Sequence, residues 1–192
     1  MKMKIKLPLF VFAILAFTTL FGQVTEKGII NVLLSEYSEK GYTTEPVTDQ
    51  QLDLILKSGM KAPSSLNNQP WKFTVIKDEG IMKTIVNDAV PGNVLIIVSG
   101  LVAQNGTSSD FDCGLAAQSM FVAAHGLGLG ARPYGSPTRI LNMMKDRFQI
   151  PEGYQAVIVL RVGNIDKSVD AVSAASPRKS SEEVINYYES KE

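Results

Sequence analysis

The segment APSSLNNQPWKFTVI, residues 62–76, concentrates hydrogen-bonding side chains directly ahead of an apolar stretch. Two serines, two asparagines and a glutamine stand between Pro63 and Pro70. Hydroxyls and amides both donate and accept hydrogen bonds, so a loop of this composition is suited to binding a polar ligand. A turn that caps itself before a strand would use the same residues, and the segment alone does not separate these two interpretations.

Few other side chains could carry chemistry. His125 is the only histidine, and we expect it to be a core residue rather than a metal ligand, since no cysteine or carboxylate cluster accompanies it. Cys113 is the only cysteine, which excludes an internal disulfide. The glycines of GLGLG, residues 126–130, do not follow a strand and therefore do not form a dinucleotide-binding fingerprint.

Strands are predicted where short apolar runs are bounded by turn residues. WKFTVIK at 71–77 alternates and is rich in β-forming residues, as expected of a strand with one exposed face. The continuous apolar runs at 93–100 and 156–163 are typical of strands buried on both faces. The polar stretch at 164–180 is predicted to be an extended excursion.

Helices are predicted between these strands. Ile29, Ile30, Leu33, Leu34 and Tyr37 recur at helical spacing within 24–37. Capping-box patterns predict one helix after Thr48 and a last helix over 181–189 after Ser180. Ser136 and Pro137 resemble an N-cap and a first helical residue. The segment 112–125 is apolar nearly all round, which predicts a long central helix buried in the core or in a dimer interface.

The first 22 residues read as a secretory signal peptide, with three lysines ahead of an apolar run of about 15 residues. That run is shorter than the ~20 residues of a membrane-spanning helix, so an uncleaved anchor is the less favoured alternative. We therefore expect an exported, periplasmic or secreted protein with one domain at 23–192. Without the three lysines, 16 basic residues face 19 acidic ones, a net charge of −3, which does not favour nucleic-acid binding.

Four segments occur in an order that resembles the nitroreductase family of FMN-dependent oxidoreductases. They are APSSLNNQPW, DCGLAAQSMFVAAHGLGLG, PYGSPTRIL with the following IPEGYQAVIVLRVGN, and PRKSSEEVINYYE. The resemblance covers residues 27–188. It implies an α+β fold with a mixed β-sheet flanked by helices, an obligate homodimer, and an FMN in each of two grooves at the dimer interface.

The resemblance also implies which residues bind the flavin. The polar loop would line the ribityl and phosphate side, ARPYGSP would bring its backbone close to the flavin ring, and a C-terminal basic pair would reach the phosphate. A solvated basic pair ahead of a helix, or an ordinary loop at ARPYGSP, are the alternatives. The implied contacts are Ser38, Lys40, Pro63, Ser64, Ser65, Asn67, Gln69, Pro133, Tyr134, Gly135, Arg178 and Lys179.

One segment departs from the family pattern. Where the family has arginine–arginine–serine and a further arginine two residues on, this chain has Glu36, Tyr37, Ser38 and Lys40. A carboxylate beside a phosphate replaces attraction with repulsion, an effect of up to ~4 kcal/mol at ~4 Å near a protein surface. The sequence therefore predicts FMN binding that is weakened, or replaced by binding of a flavin without a phosphate.

Two functions follow from these observations. The first is a flavin oxidoreductase that transfers hydride through flavin N5 to a small acceptor such as a nitroaromatic or a quinone, with no catalytic side chain required. The second is a non-catalytic flavin- or small-molecule-binding protein that retains the fold, which Glu36, Tyr37 and the export signal favour. Nicotinamide cofactors are cytoplasmic, so an exported enzyme would need another electron donor.

Overall fold

The structure is a computed structural model that describes residues 26–102, 109–173 and 175–188. The predicted signal peptide lies outside the described residues. No helix in the described part of the chain is long and apolar enough to cross a membrane.

Four antiparallel strands form one sheet in the order β1-β2-β4-β3. They are β1 (Trp71–Ile76), β2 (Val94–Leu101), β3 (Gly130–Tyr134) and β4 (Tyr154–Gly163). The three predicted strands are confirmed as β1, β2 and β4, whereas β3 was not predicted. Among the described residues the only parallel pairing is the isolated bridge between Ser38 and Ala131, so the expected mixed strand direction is limited to that bridge.

Helices cover both faces of this sheet, which confirms the α+β class. On one face lie α2 (Asp49–Met60) and α4 (Asp110–Gly126), which form a core with the sheet around Ile55, Ile96, Met120 and Leu160. Helix α2 packs so closely on α4 that a Cβ on Gly59 would lie 2.7 Å from Met120 Cγ. This face carries the candidate site.

The opposite face is covered by α3 (Glu79–Ile85) and α5 (Thr138–Met143). Met82 and Leu141 pack there against the β2 residues Leu95 and Ile97. Successive β2 side chains thus enter different cores, and the strand is buried from Val94 to Gly100 as the continuous apolar run predicts.

Most predicted helix boundaries are close to the observed ones. The Thr48–Gln51 capping box is present, with Gln51 N donating to Thr48 Oγ1 at 3.2 Å. The Ser136 cap is wrong: α5 begins at Thr138, whose hydroxyl donates to Gly135 O at 2.7 Å instead. The last helix, α6, is a single turn, Ser181–Val184, rather than 181–189.

Helix α1 (Glu26–Ser35) forms as its periodicity predicts, but the described part of the chain leaves much of its apolar face exposed. Ile29, Ile30, Leu33 and Leu34 are 42–82% exposed. An amphipathic helix normally buries such a face against other elements of the fold.

Candidate functional site

A pocket of about 240 Å³ opens on the α4 side of the sheet; we call it the α4 pocket. Three of its lining residues, Ser38, Pro133 and Arg178, are sequence-predicted contacts from widely separated parts of the chain. The full set is Ser38, Gly114, Ala117, Gln118, Phe121, Pro133, Ile158, Leu160 and Arg178.

One wall of the α4 pocket is a single face of helix α4. Gly114, Ala117, Gln118 and Phe121 follow the spacing that places residues on one side of a helix. A Cβ on Gly114 would meet nothing within 4 Å, so the space beside it is open. These residues were not predicted as site residues, because the segment 112–125 is apolar nearly all round and is therefore typical of a core helix. Of these four residues, Gly114 and Gln118 depart from that pattern.

The sheet supplies the opposite wall. Ile158 and Leu160 of β4 and Pro133 of β3 make it apolar, while Ser38 adds a hydroxyl at one end. An apolar slot with a few polar groups suits a planar aromatic ring that carries a hydrophilic substituent.

Arg178 is the only basic residue among the described residues that line the α4 pocket. Its side chain is exposed, and within the described ranges it forms no ion pair. Lys179 is exposed and does not line the pocket, nor does Lys40. The predicted basic pair is thus split, with the guanidinium at the pocket and the ammonium outside it.

Glu36 lies one side chain away from the α4 pocket. Gln118 Nε2 donates to Glu36 Oε1 at 2.9 Å, and Gln118 itself lines the pocket. The other carboxylate oxygen of Glu36 is buried and has no hydrogen-bond partner in the described part of the chain. The substitution that the sequence singled out is therefore close to the pocket.

The neighbouring Tyr37 turns toward helix α4. Its ring centroid lies 5.8 Å from that of His125, which also packs against Phe121 at 4.7 Å. Burial lowers the pKa of His125, while the charges of Glu36 and Glu39 act in the opposite direction. His125 thus packs among aromatic rings, as expected of a structural residue, but it is only half-buried and its Nε2 has no hydrogen-bond partner in the described part of the chain.

Pro133 and Tyr134, two of the residues predicted to lie beside the flavin ring, are at the end of β3 and face opposite sides of the sheet. Pro133 faces the α4 pocket, but the side chain of Tyr134 packs against the core on the opposite face. Gly135 is exposed, and a Cβ there would meet nothing within 4 Å. A ligand in the α4 pocket could therefore be approached by the backbone of Tyr134 and Gly135, but not by the Tyr134 side chain.

The polar loop 63–69 does not line the α4 pocket. Leu66, Asn67 and Gln69 adopt left-handed backbone conformations, with φ of 51°, 55° and 47°. Such values are uncommon outside glycine and often mark functional loops. Leu66 is 90% exposed, and the predicted contacts Pro63, Ser65, Asn67 and Gln69 are exposed as well.

The loop is held by its own polar groups and by helix α4. Ser64 Oγ accepts a hydrogen bond from Gln69 N at 2.9 Å, as the self-capping interpretation predicts for this residue. Ser65 N donates to Asp112 Oδ1 at 3.1 Å, and Asp112 is 6% exposed in the first turn of α4. Asp112 was also missed, because its partner is 47 residues away in the chain.

The model of the nitroreductase family matches residues 33–94 and 93–164. The chain belongs to the nitroreductase family. This match contains the polar loop, Glu36 and most of the α4 pocket, while Arg178 lies beyond it.

Individual relatives agree with that assignment. An inferred NADH dehydrogenase/NAD(P)H nitroreductase of Methanothermobacter thermautotrophicus is 29% identical over 119 residues, which are 57% of this chain and 62% of the relative. The chain thus spans less than two thirds of that relative. One of the same description from Archaeoglobus fulgidus is 27% identical over 145 residues, 70% of this chain and 83% of the relative.

A solved structure matches more completely. The crystal structure of an inferred nitroreductase of Desulfovibrio desulfuricans in complex with FMN is 27% identical, with a TM-score of 0.72. The alignment covers 87% of this chain and 100% of that one. The whole of the Desulfovibrio chain therefore has a structural counterpart in this member of the nitroreductase family.

Proposed function

We propose that this chain is a flavin oxidoreductase that binds FMN in the α4 pocket and reduces a small acceptor such as a nitroaromatic or a quinone. The observation that carries this proposal is the meeting of Ser38, Pro133 and Arg178 in one pocket with an apolar slot. The names of the two archaeal relatives and the FMN complex of the Desulfovibrio protein support it.

The lining residues fit a flavin by their chemistry. Phe121, Ile158 and Leu160 offer apolar surface to a ring system, Ser38 and Gln118 offer hydrogen bonds to a polyol, and Arg178 offers a cation to a phosphate. When bound, the flavin supplies hydride transfer through its N5 atom. The chain's own task is to hold the ring, orient it, and leave one side accessible to the acceptor.

The proposed active unit is a homodimer. The loop 63–69 lies apart from the α4 pocket and presents exposed polar residues in a strained conformation, which is expected if it completes the pocket of a second copy. The uncovered apolar face of α1 and the exposed Phe111, Tyr187 and Tyr188 provide surface for that contact. In this arrangement, Pro63, Ser64, Ser65, Asn67 and Gln69 act across the interface.

A second candidate is a binding protein without catalytic turnover. The observation that favours it is the carboxylate of Glu36 beside the α4 pocket, which opposes a bound phosphate. Export, proposed from the first 22 residues, also separates the protein from the nicotinamide cofactors of the cytoplasm.

Visible absorption of the purified protein before and after addition of FMN, together with sedimentation velocity, tests the proposal. We expect flavin absorption bands at about one flavin per chain, a dimer, and bleaching on reduction with dithionite followed by reoxidation with a quinone. A protein that stays colourless with FMN and with riboflavin would contradict it. A flavin that binds and is reduced, but passes no electrons to any acceptor, would favour the second candidate.

A further inference from the structure

One guanidinium lines the α4 pocket, and one carboxylate is hydrogen-bonded to a residue that lines it. Arg178 lines the pocket, and Glu36 is linked to it through Gln118, whose amide donates to Glu36 Oε1 at 2.9 Å. Arg178 is exposed on the C-terminal segment, whereas Glu36 is half-buried and held by helix α4. The negative charge is therefore the more firmly placed of the two.

A second carboxylate, Glu39, follows Glu36 on the same segment, where its side chain lies against Gly130. Glu39 is fully buried three residues away on the same segment. Its Oε1 accepts hydrogen bonds from Lys40 N at 2.7 Å and Gly41 N at 3.0 Å, while its Oε2 has no partner among the described residues. Segment 36–41 thus has two carboxylates fixed by neighbouring groups close to Ser38, which lines the pocket.

A pocket with a guanidinium in its lining and a carboxylate beside that lining is better matched to hydroxyl groups than to a phosphate. A hydroxyl can donate toward a carboxylate and accept from a guanidinium at the same time. A dianion gains from Arg178 but is repelled by Glu36, and the repulsion is stronger because the carboxylate is partly withdrawn from water.

We propose that Glu36 is a specificity-determining residue that lowers the affinity of the α4 pocket for FMN relative to riboflavin, the same flavin without its phosphate. The proposal rests on the proposed function, since it concerns which flavin the pocket retains. Gln118 acts as the positioning residue, because its hydrogen bond holds the carboxylate beside a residue that lines the pocket.

Dissociation constants of FMN and riboflavin, measured by quenching of flavin fluorescence, test the proposal without any turnover assay. Wild type, Glu36→Gln and the matched control Glu152→Gln, an exposed carboxylate in the turn before β4, are compared. In Glu36→Gln, FMN should bind at least about tenfold more tightly, or about 1.4 kcal/mol, while riboflavin changes by less than about twofold. Glu152→Gln should change neither value.

A charge-preserving variant separates charge from packing. Glu36→Asp keeps the negative charge but shortens the reach to Gln118, so its ratio of FMN to riboflavin affinity should stay close to that of wild type. If Glu36→Asp instead gains FMN affinity as Glu36→Gln does, loss of the charge is not the cause, since Glu36→Asp retains it, and the proposal is wrong.

Other outcomes also overturn it. Unchanged FMN affinity in a folded Glu36→Gln protein, or an equal gain for both flavins, would show that Glu36 does not discriminate the phosphate, while leaving the proposed flavin function standing. If neither wild type nor any of the variants binds FMN or riboflavin, both the proposed function and this inference are wrong.

Discussion

Two arginines near strand β4 occupy opposite faces of the sheet and differ in how fully they are partnered. Leu160 points into the α4 pocket that Arg178 borders, and the next residue, Arg161, points to the other face. Arg178 is exposed, whereas Arg161 is 1% exposed.

Arg161 is surrounded by groups that hold its charge. Its Nε donates to Asn93 Oδ1 at 2.7 Å, and its Nη2 donates to Asp88 O at 2.8 Å. Its Nη1 lies 3.1 Å from Asp88 Oδ2, and the guanidinium sits 4.1 Å from the ring centroid of Tyr42. Burial raises the pKa of Tyr42 far above its usual range, so the phenol stays neutral under the guanidinium.

The comparison separates two roles of one side-chain type. A buried guanidinium with hydrogen bonds, an ion pair and an aromatic face links β4 to residues 42 and 88–93, and it contributes to stability. An exposed guanidinium at a pocket, without an ion pair in the described ranges, is available to a ligand. The following predictions test whether the Arg161 face of the sheet contributes mainly to stability and the Arg178 face mainly to ligand binding.

The largest expected effect is on the Arg161 side. Arg161→Ala removes one of the two donors to Asn93 Oδ1 and the donor to Asp88 O, and it opens space beside Tyr42. The Asp88 carboxylate that remains is 55% exposed and can be hydrated. We therefore expect the free energy of unfolding to fall by about 2–4 kcal/mol, mainly through lost packing and the unpaired carbonyl. Urea unfolding followed by circular dichroism measures it, with the exposed Arg139→Ala as the control, for which a change within about 0.5 kcal/mol is expected. Below the unfolding transition, flavin affinity should be retained.

If Arg161→Ala lowers the free energy of unfolding by less than about 1 kcal/mol, the ion pair of Arg161 stabilises the fold no more than a surface ion pair does. Arg161 and Arg178 would then not differ in their contribution to stability. Loss of flavin binding in a protein that remains folded would contradict the division between the two faces.

A smaller effect is expected for Asp112, a residue that we expect to affect both stability and flavin binding. Its carboxylate anchors the polar loop through Ser65 N, which is near enough to the surface to be rehydrated. Asp112→Ala should therefore lower the free energy of unfolding by about 1 kcal/mol, at the lower end for an unpaired donor. It should also weaken flavin binding under conditions in which the variant remains folded, because the polar loop loses its anchor. Asp112→Asn, which retains an acceptor oxygen, is the matched variant and should recover most of both.

Parallel titrations of flavin and of urea on these two variants distinguish the roles. If Asp112→Ala lowers stability but leaves flavin affinity unchanged, the loop does not contribute to the site. That result would also remove the main argument for a pocket shared between two copies.

The sequence predicted the elements with strong local signals. The apolar runs of β2 and β4 and the Thr48 capping box each depend on neighbouring residues, and each was found. Strand β3 was missed because it is only five residues long and contains Pro133, which a sheet tolerates at an edge such as this one. The last helix was overextended, because a capping box predicts where a helix starts and not where it ends.

The site was predictable where a resemblance supplied the residues, and not where it depended on long-range packing. Of the residues that the resemblance supplied, Ser38, Pro133 and Arg178 line one pocket, while their contact with a flavin stays a prediction. Arg161 looked like an ordinary residue of an apolar strand, since its partner Asn93 is 68 residues away. The hydrogen bond from Gln118 to Glu36 joins residues 82 positions apart, which no local pattern indicates.

The smallest effect is expected for His125, between α4 and segment 36–42. Burial lowers its pKa, and Glu36 and Glu39 only partly oppose this; Tyr37, whose own pKa is raised mainly by burial, stays neutral beside it. The folded protein therefore keeps His125 uncharged, whereas the unfolded chain takes up a proton as the pH falls through about 6.5. Stability should be constant above that range and should fall as the pH drops below it, because the unfolded state then binds more protons.

Urea midpoints at pH 7.5 and 5.5 measure this dependence in wild type, His125→Gln and Glu36→Gln. His125→Gln should reduce the fall between the two pH values, since it removes the titrating group. Glu36→Gln should increase it, because one of the two carboxylates that support the protonated ring is gone. An unchanged fall in His125→Gln would assign the pH dependence to other groups. An unchanged fall in Glu36→Gln would mean that the Glu36 carboxylate does not act on His125.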